Sequence, residues 1–392
     1  MLTVVVLAVV ALCASPSLGR SAGEARLRNA TPVQTPSASP SLEPQPQATV
    51  STPAASASPE PTPTPEIIER DAPDLNKGVW VRGPNLPSAR QDVAAAVLAG
   101  RIYLIGGFGP HNQQMDSTLV WEPQVAPGAP HGEAERAGAR LGVWTYAARI
   151  PEPVDHAAAA VVGGYIYVAG GRIENLVTNK FWRYDAGNDS WTQMPSLPIP
   201  RFGPTMQAVG DKLYVIGGAV SHGNDATSMM VYDIPTAQWS IREYATSYAR
   251  IEPESALIGE TIVLLGGRDD IDRNLPFCDL YYPATDRWHT CDDLRQPRSD
   301  FGLSVVDNRL VAVGGDDLHA APTQTMELSE PNINGWLSGP WMPSPRHGMA
   351  QVTLGNVVWV MGGSPTAGTA PMASVLRYIS PLVKVKLKKG QS

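Results

Sequence analysis

Six short stretches decide the fold: IYLIGG at 102–107, IYVAGG at 166–171, LYVIGG at 213–218, IVLLGG at 262–267, LVAVGG at 310–315 and VWVMGG at 358–363. Each is a run of β-branched or aromatic residues that ends on a Gly-Gly pair, which is a buried strand followed by a turn. A second landmark keeps step with the first. Trp80, Trp144, Trp191, Trp288 and Trp336 each precede the first glycine of the next pair by 26 residues, and Trp239 precedes it by 27. Chance does not hold so rare a residue to one register six times.

Self-similarity at a period near 50 residues is the signature of propeller blades. The spacing predicts an all-β, six-bladed β-propeller over 79–383. Trp80 has no Gly-Gly before it, and Gly363 has no Trp after it. The two half-units complete each other if the N-terminal strand, Val79 to Arg82, pairs with the last one, SVLRYIS at 374–380. Closing the ring in this way removes exposed sheet edges. The step from Gly-Gly to Trp is 21 or 22 residues in blades two to five and 38 in blade one. The excess falls in the polar segment at 122–142, which reads as a surface insertion.

Composition bounds the rest. Charged residues make up 17% of the 392, and the formal net charge is -7, so no basic face for nucleic acid is expected. The apolar run Leu2 to Leu12 with small residues through Gly19 reads as a signal peptide, 1–19, and is too short to span a bilayer. Residues 20–78 are rich in Pro, Ser and Thr and read as a spacer with too little apolar surface to fold; 384–392 are a short basic tail. The expectation is a secreted or cell-surface monomer without a cofactor or a membrane span.

The Gly-Gly after a hydrophobic strand, the aromatic and the Trp beyond it, and a Pro-containing turn with Arg together resemble the kelch-repeat family. The third unit reads YVIGG…VYDIPTAQWSI and the fourth LLGG…LYYPATDRWHT. A basic residue recurs sixteen positions before Gly-Gly as Arg90, Arg201, Arg250, Arg298 and Arg346, while blade two has Val154 there and His156 two residues on. Kelch domains that bind acidic peptides use this Arg position, so the resemblance implies ligand binding by the five arginines and His156. The other reading has the arginines bracing loops, by bonding backbone carbonyls or neighbouring acids. Those acids are Asp269, Asp270, Asp272, Asp316 and Asp317, with Glu174 and Asp225, in the loops after Gly-Gly; salt bridges to Arg250 or Arg298 are expected of them, rather than Ca²⁺. His111, His222 and His319 sit in the corresponding loops of alternate blades, too far apart for a shared metal, and no metal site is expected.

The resulting expectation is a recognition module that binds a polar protein or glycan on the face carrying the Gly-Gly loops and the Pro-Arg loops. The alternative is a carbohydrate-active enzyme: a galactose-oxidase-like oxidase, or a sialic-acid-mutarotase-like isomerase using Glu252 with Arg250 or Asp300 with Arg298. A disulfide is expected between Cys278 and Cys291. Pairing Tyr282 with Arg287 across the turn PATD carries these cysteines into opposition, where Cα atoms lie about 4.5–5.5 Å apart. Export into an oxidising compartment would let it form.

Overall fold

The computed structural model describes residues 78–123, 142–221, 224–225, 228–243, 249–316, 321–330 and 334–380. The expected signal peptide, spacer, basic tail and most of the blade-one insertion lie outside the described residues, as do His222, Asp317 and His319.

Six four-stranded antiparallel sheets are arranged as blades, each with strands a to d from the axis outward. In blade four these are Glu254–Ile258, Thr261–Leu265, Cys278–Tyr282 and Arg287–Thr290. In blade six strands a to c are His347–Leu354, Val357–Ser364 and Val375–Ile379. Its fourth strand is Val79–Arg82, which pairs Trp80 with Tyr378 and Arg82 with Leu376. The first described strand therefore completes the last blade, as the split landmarks predicted.

Strand a is short of large side chains because six copies converge on one axis. It reads AAAVL at Ala94–Leu98 and AAAVV at Ala158–Val162. Strand b carries the large apolar residues, and Ile102, Leu104, Ile166, Val168, Val263 and Leu265 are almost wholly buried. They pack between neighbouring blades in a chain of apolar clusters, which is where hydrophobic burial stabilises the ring.

The Gly-Gly pairs stitch the blades together. Both glycines of blade one have positive φ, 67° at Gly106 and 88° at Gly107. A Cβ on Gly106 would stand 2.2 Å from the Val154 carbonyl oxygen, and one on Gly107 2.5 Å from that of Gln91. Only glycine permits that dihedral and that approach together. The second glycine donates its N–H to the next blade's loop at every blade: Gly107 to Val154, Gly171 to Arg201, Gly218 to Arg250, Gly267 to Arg298, Gly315 to Arg346 and Gly363 to Arg90, at 2.7–3.0 Å.

The tryptophans add an outer set of links. Trp80 Nε1 donates to the Pro340 carbonyl at 2.8 Å, Trp144 to Pro84 at 3.0 Å, Trp191 to Ala148 at 2.9 Å, Trp239 to Pro195 at 2.8 Å and Trp336 to Asp292 at 2.7 Å. Each indole thus joins its own blade to a neighbour, a structural role. The Cys278–Cys291 disulfide is present with Cα atoms 5.1 Å apart, and the strands hold the expected register, with Tyr282 opposite Arg287. Among the described residues no helix is long and apolar enough to cross a membrane.

Candidate functional site at the channel mouth

The loop after strand b and the loop before strand a meet on one face, as the meander requires. The residue after Gly-Gly bridges the residue after the Arg position in each blade: Phe108 with Gln91, Arg172 with Asp155, Ala219 with Phe202, Arg268 with Ile251, Asp316 with Ser299, and Ser364 with His347. Around the axis these pairs form a wall.

The five arginines stand behind that wall. Their exposure is 0–2%. Arg90 donates to the Ser88 and Ser117 hydroxyls, Arg298 to the Gly314 carbonyl at 2.6 Å, and Arg346 to the Gly362 carbonyl at 2.8 Å. Arg201 reaches the Ser228 hydroxyl. Arg250 pairs with Asp279 and Arg298 with Glu327, both acids of strand c. Burial lowers the pKa of Arg90 and Arg346 to about 10. Arg90, Arg201, Arg250, Arg298 and Arg346, expected at the ligand surface or as loop braces, are thus buried and bond loop oxygens or strand-c acids, the geometry of the bracing reading. The same burial corrects the acid–base pairs expected of Arg250 with Glu252 and Arg298 with Asp300. The ion pairs of the described Gly-Gly-loop acids Asp269 and Asp272 go to other arginines. Asp269 holds Arg273 at 2.7 Å, and Asp272 lies 3.4 Å from Arg268.

The residues that reach the axis lie two positions after the Arg register. They are Asp92, His156, Gly203, Glu252, Asp300 and Gly348, all at φ between 49° and 59°. The left-handed turn points each side chain inward. Backbone bonds link neighbours around this ring: His156 donates to Asp92, Gly203 to His156, Glu252 to Gly203, Gly348 to Asp300 and Asp92 to Gly348. His156, expected as a ligand contact, is here, as are Glu252 and Asp300, the two acids expected of an isomerase; Asp92 is the ring acid that the sequence did not single out.

Charge is concentrated at this level. The His156 Nδ1 lies 2.5 Å from Asp155 Oδ1, and its Nε2 lies 3.6 Å from Asp92 and 3.5 Å from Glu252. Burial opposes the imidazolium, but Asp92, Asp155 and Glu252 together outweigh it and raise the pKa to about 9. Arg268 pairs with Glu252, and Arg172 Nε donates to Asp155 at 2.9 Å. Arg172 also stacks over Phe202 and Phe108, at 4.6 and 5.5 Å from the ring centres. Burial, reinforced by Asp300 and Glu252 against the pull of His156, pushes Asp92 up to about 7.

On the opposite side His347 Nδ1 lies 2.7 Å from Asp300 and 3.7 Å from Asp316. Its Nε2 faces the Thr366 and Gly368 carbonyls at 3.0 and 3.2 Å. Burial works against its charge, but the two acids prevail and raise the pKa to about 10. Asp300, Asp316 and His347 bring ligand-type atoms within 4.8 Å of one another. Both ring nitrogens already serve oxygens as donors, so the trio is an ion pair rather than a metal site.

These groups line a cavity of about 420 Å³, with Phe108, Phe202 and Ile251 giving it an apolar side and Glu252, Asp300 and Asp316 an acidic one. Below it the channel narrows to a neck of about 80 Å³. His111 is exposed at a loop tip. Cys278 and Cys291 are bonded to each other across strands c and d of blade four, so neither is available for the thioether of a galactose-oxidase-like centre.

Residues 141–315 match the KLHDC2/KLHL20/DRC7 Kelch-repeats domain. This chain is a six-bladed β-propeller that carries kelch repeats over 141–315. Kelch-like protein terF of Aspergillus terreus is 24% identical over 330 residues, covering 78% of this chain and 69% of that protein. Kelch-like protein 36 of Mus musculus is 25% identical over 280 residues, covering 69% of this chain and 43% of that protein. The kelch propeller here therefore spans less than half of that mammalian relative. The solved structure of YjhT shares the fold at a TM-score of 0.63 and 17% identity, covering 75% of this chain and 96% of that one. Kelch propellers typically serve as protein-interaction modules.

Proposed function

We propose that this kelch propeller is an exported recognition module that takes a polar segment of a partner protein into the channel mouth. One observation carries the reading: the cavity gathers buried, mutually opposed charges beside an aromatic wall on the face where two sets of loops meet. Perturbed titratable groups in a concave site are a hallmark of function. Export is supported by the apolar run at 2–12 and by the Cys278–Cys291 pair, which suits an oxidising compartment.

The test is a combined peptide and glycan array probed with the propeller and with Phe202→Ala and Arg268→Ala. Peptide binding that both variants weaken supports the reading, and peptide binding indifferent to both removes it. Binding to glycans alone would replace the protein partner with a carbohydrate. A second reading, a carbohydrate-active isomerase, is favoured by the placing of Asp92, at about 7, as a base beside the protonated His156 as an acid. Anomer equilibration followed by NMR on a small sugar panel decides it; no acceleration by wild type over His156→Ala excludes it.

A further inference from the structure

The neck below the mouth holds more acid than its counter-ions require. Asp92, Glu252, Glu254 and Asp300 line it, against one imidazole, His156. Arg268 and His347 stand outside the neck, held on Glu252 and Asp300. A cluster of acids alone would mean little, but one of these is incompletely satisfied. The Asp92 side chain is 4% exposed, its Oδ1 has no hydrogen-bond partner among the described residues, and it lies 3.6 Å from His156 Nε2, beyond hydrogen-bonding reach. A buried carboxylate oxygen without a donor is costly unless a ligand supplies one. That oxygen faces the axis: a Cβ built on Gly348 would stand 2.4 Å from it and 3.4 Å from Asp300 Oδ2. Glycine at 348 leaves the space between two carboxylates open.

On that basis, and resting on the mouth as a recognition site, we propose that the neck captures a lysine or arginine side chain of the partner polypeptide. Its cationic head would lie between Asp92, Glu252 and Asp300. The neck's volume, about 80 Å³, holds a few water-sized groups and suits the end of an extended side chain better than a ring. The rim supplies an independent sign that the ligand is a polypeptide. Leu176 and Ile271, at the tips of the Gly-Gly loops of blades two and four, are 71% and 62% exposed. They would contact apolar residues flanking the captured cation. Asp270 and Asp272 add negative charge at the same mouth.

The test uses fluorescence-labelled hexapeptides with Lys, Arg, norleucine, Gln or Glu at one central position, titrated with the whole chain by anisotropy. Lys or Arg peptides are expected to bind at least about tenfold more tightly than the norleucine peptide, the scale of one charge-assisted hydrogen bond. Asp300→Asn should weaken them by about tenfold or more. Because that variant also disturbs His347, two exposed variants accompany it: Asp270→Asn and Leu176→Ser should each weaken binding severalfold in a folded protein. Preference for Glu or norleucine peptides, still lost in Phe202→Ala, would overturn the cation capture while leaving the mouth as the recognition site. Binding of every peptide indifferent to Phe202→Ala and Asp270→Asn would overturn both.

Discussion

Consider the replacement of Arg298 by alanine. The guanidinium is 1% exposed and its partner Glu327 5% exposed, with Nη2 and Oε1 2.7 Å apart. Arg298 also donates to the Gly314 carbonyl at 2.6 Å and to Thr325 Oγ1 at 3.1 Å. Glu327 would keep the N–H groups of Arg295 and Gln296, at 2.8 and 3.1 Å, but would lose its only ion-pair partner among the described residues. Removing one member of a buried pair costs about 3–5 kcal/mol, because the remaining charge is uncompensated. Arg90 offers the contrast. It donates to serine oxygens and carbonyls and has no carboxylate partner among the described residues, and in blade two the same register is filled by Val154 at 1% exposure. Arg90→Met should therefore cost only about 1–3 kcal/mol. The double variant Arg298→Met, Glu327→Leu should recover most of the loss of Arg298→Ala, since replacing both charges by apolar groups leaves nothing stranded. Urea unfolding followed by tryptophan fluorescence measures all three. An Arg298→Ala protein with an unchanged midpoint but abolished ligand binding would refute the bracing role and restore the arginine to the ligand surface.

Trp80→Ala removes the indole that packs on Tyr378 at 5.5 Å and bonds the Pro340 carbonyl, and should cost about 3 kcal/mol, lowering the midpoint of the whole propeller rather than fraying one edge. Intact-mass measurement after alkylation of unreduced, denatured protein should find Cys278 and Cys291 unmodified; their replacement by serine should cost about 3 kcal/mol or less, for a loop with a sequence separation of 13. His156 holds its proton to about pH 9 in the fold, above the ordinary 6.5, so its stabilisation is complete below pH 6.5 and is lost as pH rises through 9. His156→Gln should flatten the stability profile between those values, and an unaltered slope would show that the imidazolium does not form.

The periodic features were the legible ones. Gly-Gly and Trp mark positions where backbone geometry and blade packing leave few residues possible, so their spacing in the sequence reported the blades, their number and the closure through Val79–Arg82. The cysteine pair was legible because a short turn fixed the register of two strands. The arginines were legible as a register but not as a role: their burial has the same cause as that of the glycines, the packing of the scaffold, which is the bracing reading of the two the sequence allowed. One signal in the sequence pointed that way, since Val154 at the sixth Arg position marks an interior register. The ring two residues on carries Asp, His, Gly, Glu, Asp and Gly, and has no period to find. Its members meet because the ring turns each into a left-handed conformation and aims it at the axis, which is a property of the closed propeller.

The central claim is that ligand is held at the channel mouth, on the ring formed by Asp92, His156, Glu252 and Asp300. Backbone hydrogen exchange with and without the tightest peptide from the array tests it most directly. The account predicts slowed exchange at 91–93, 155–157, 268–274 and 299–301, with no change in the a–b turns at 210–211 and 307–308 or the c–d turn at 283–286. Protection confined to those turns would place the ligand on the opposite face and contradict the account.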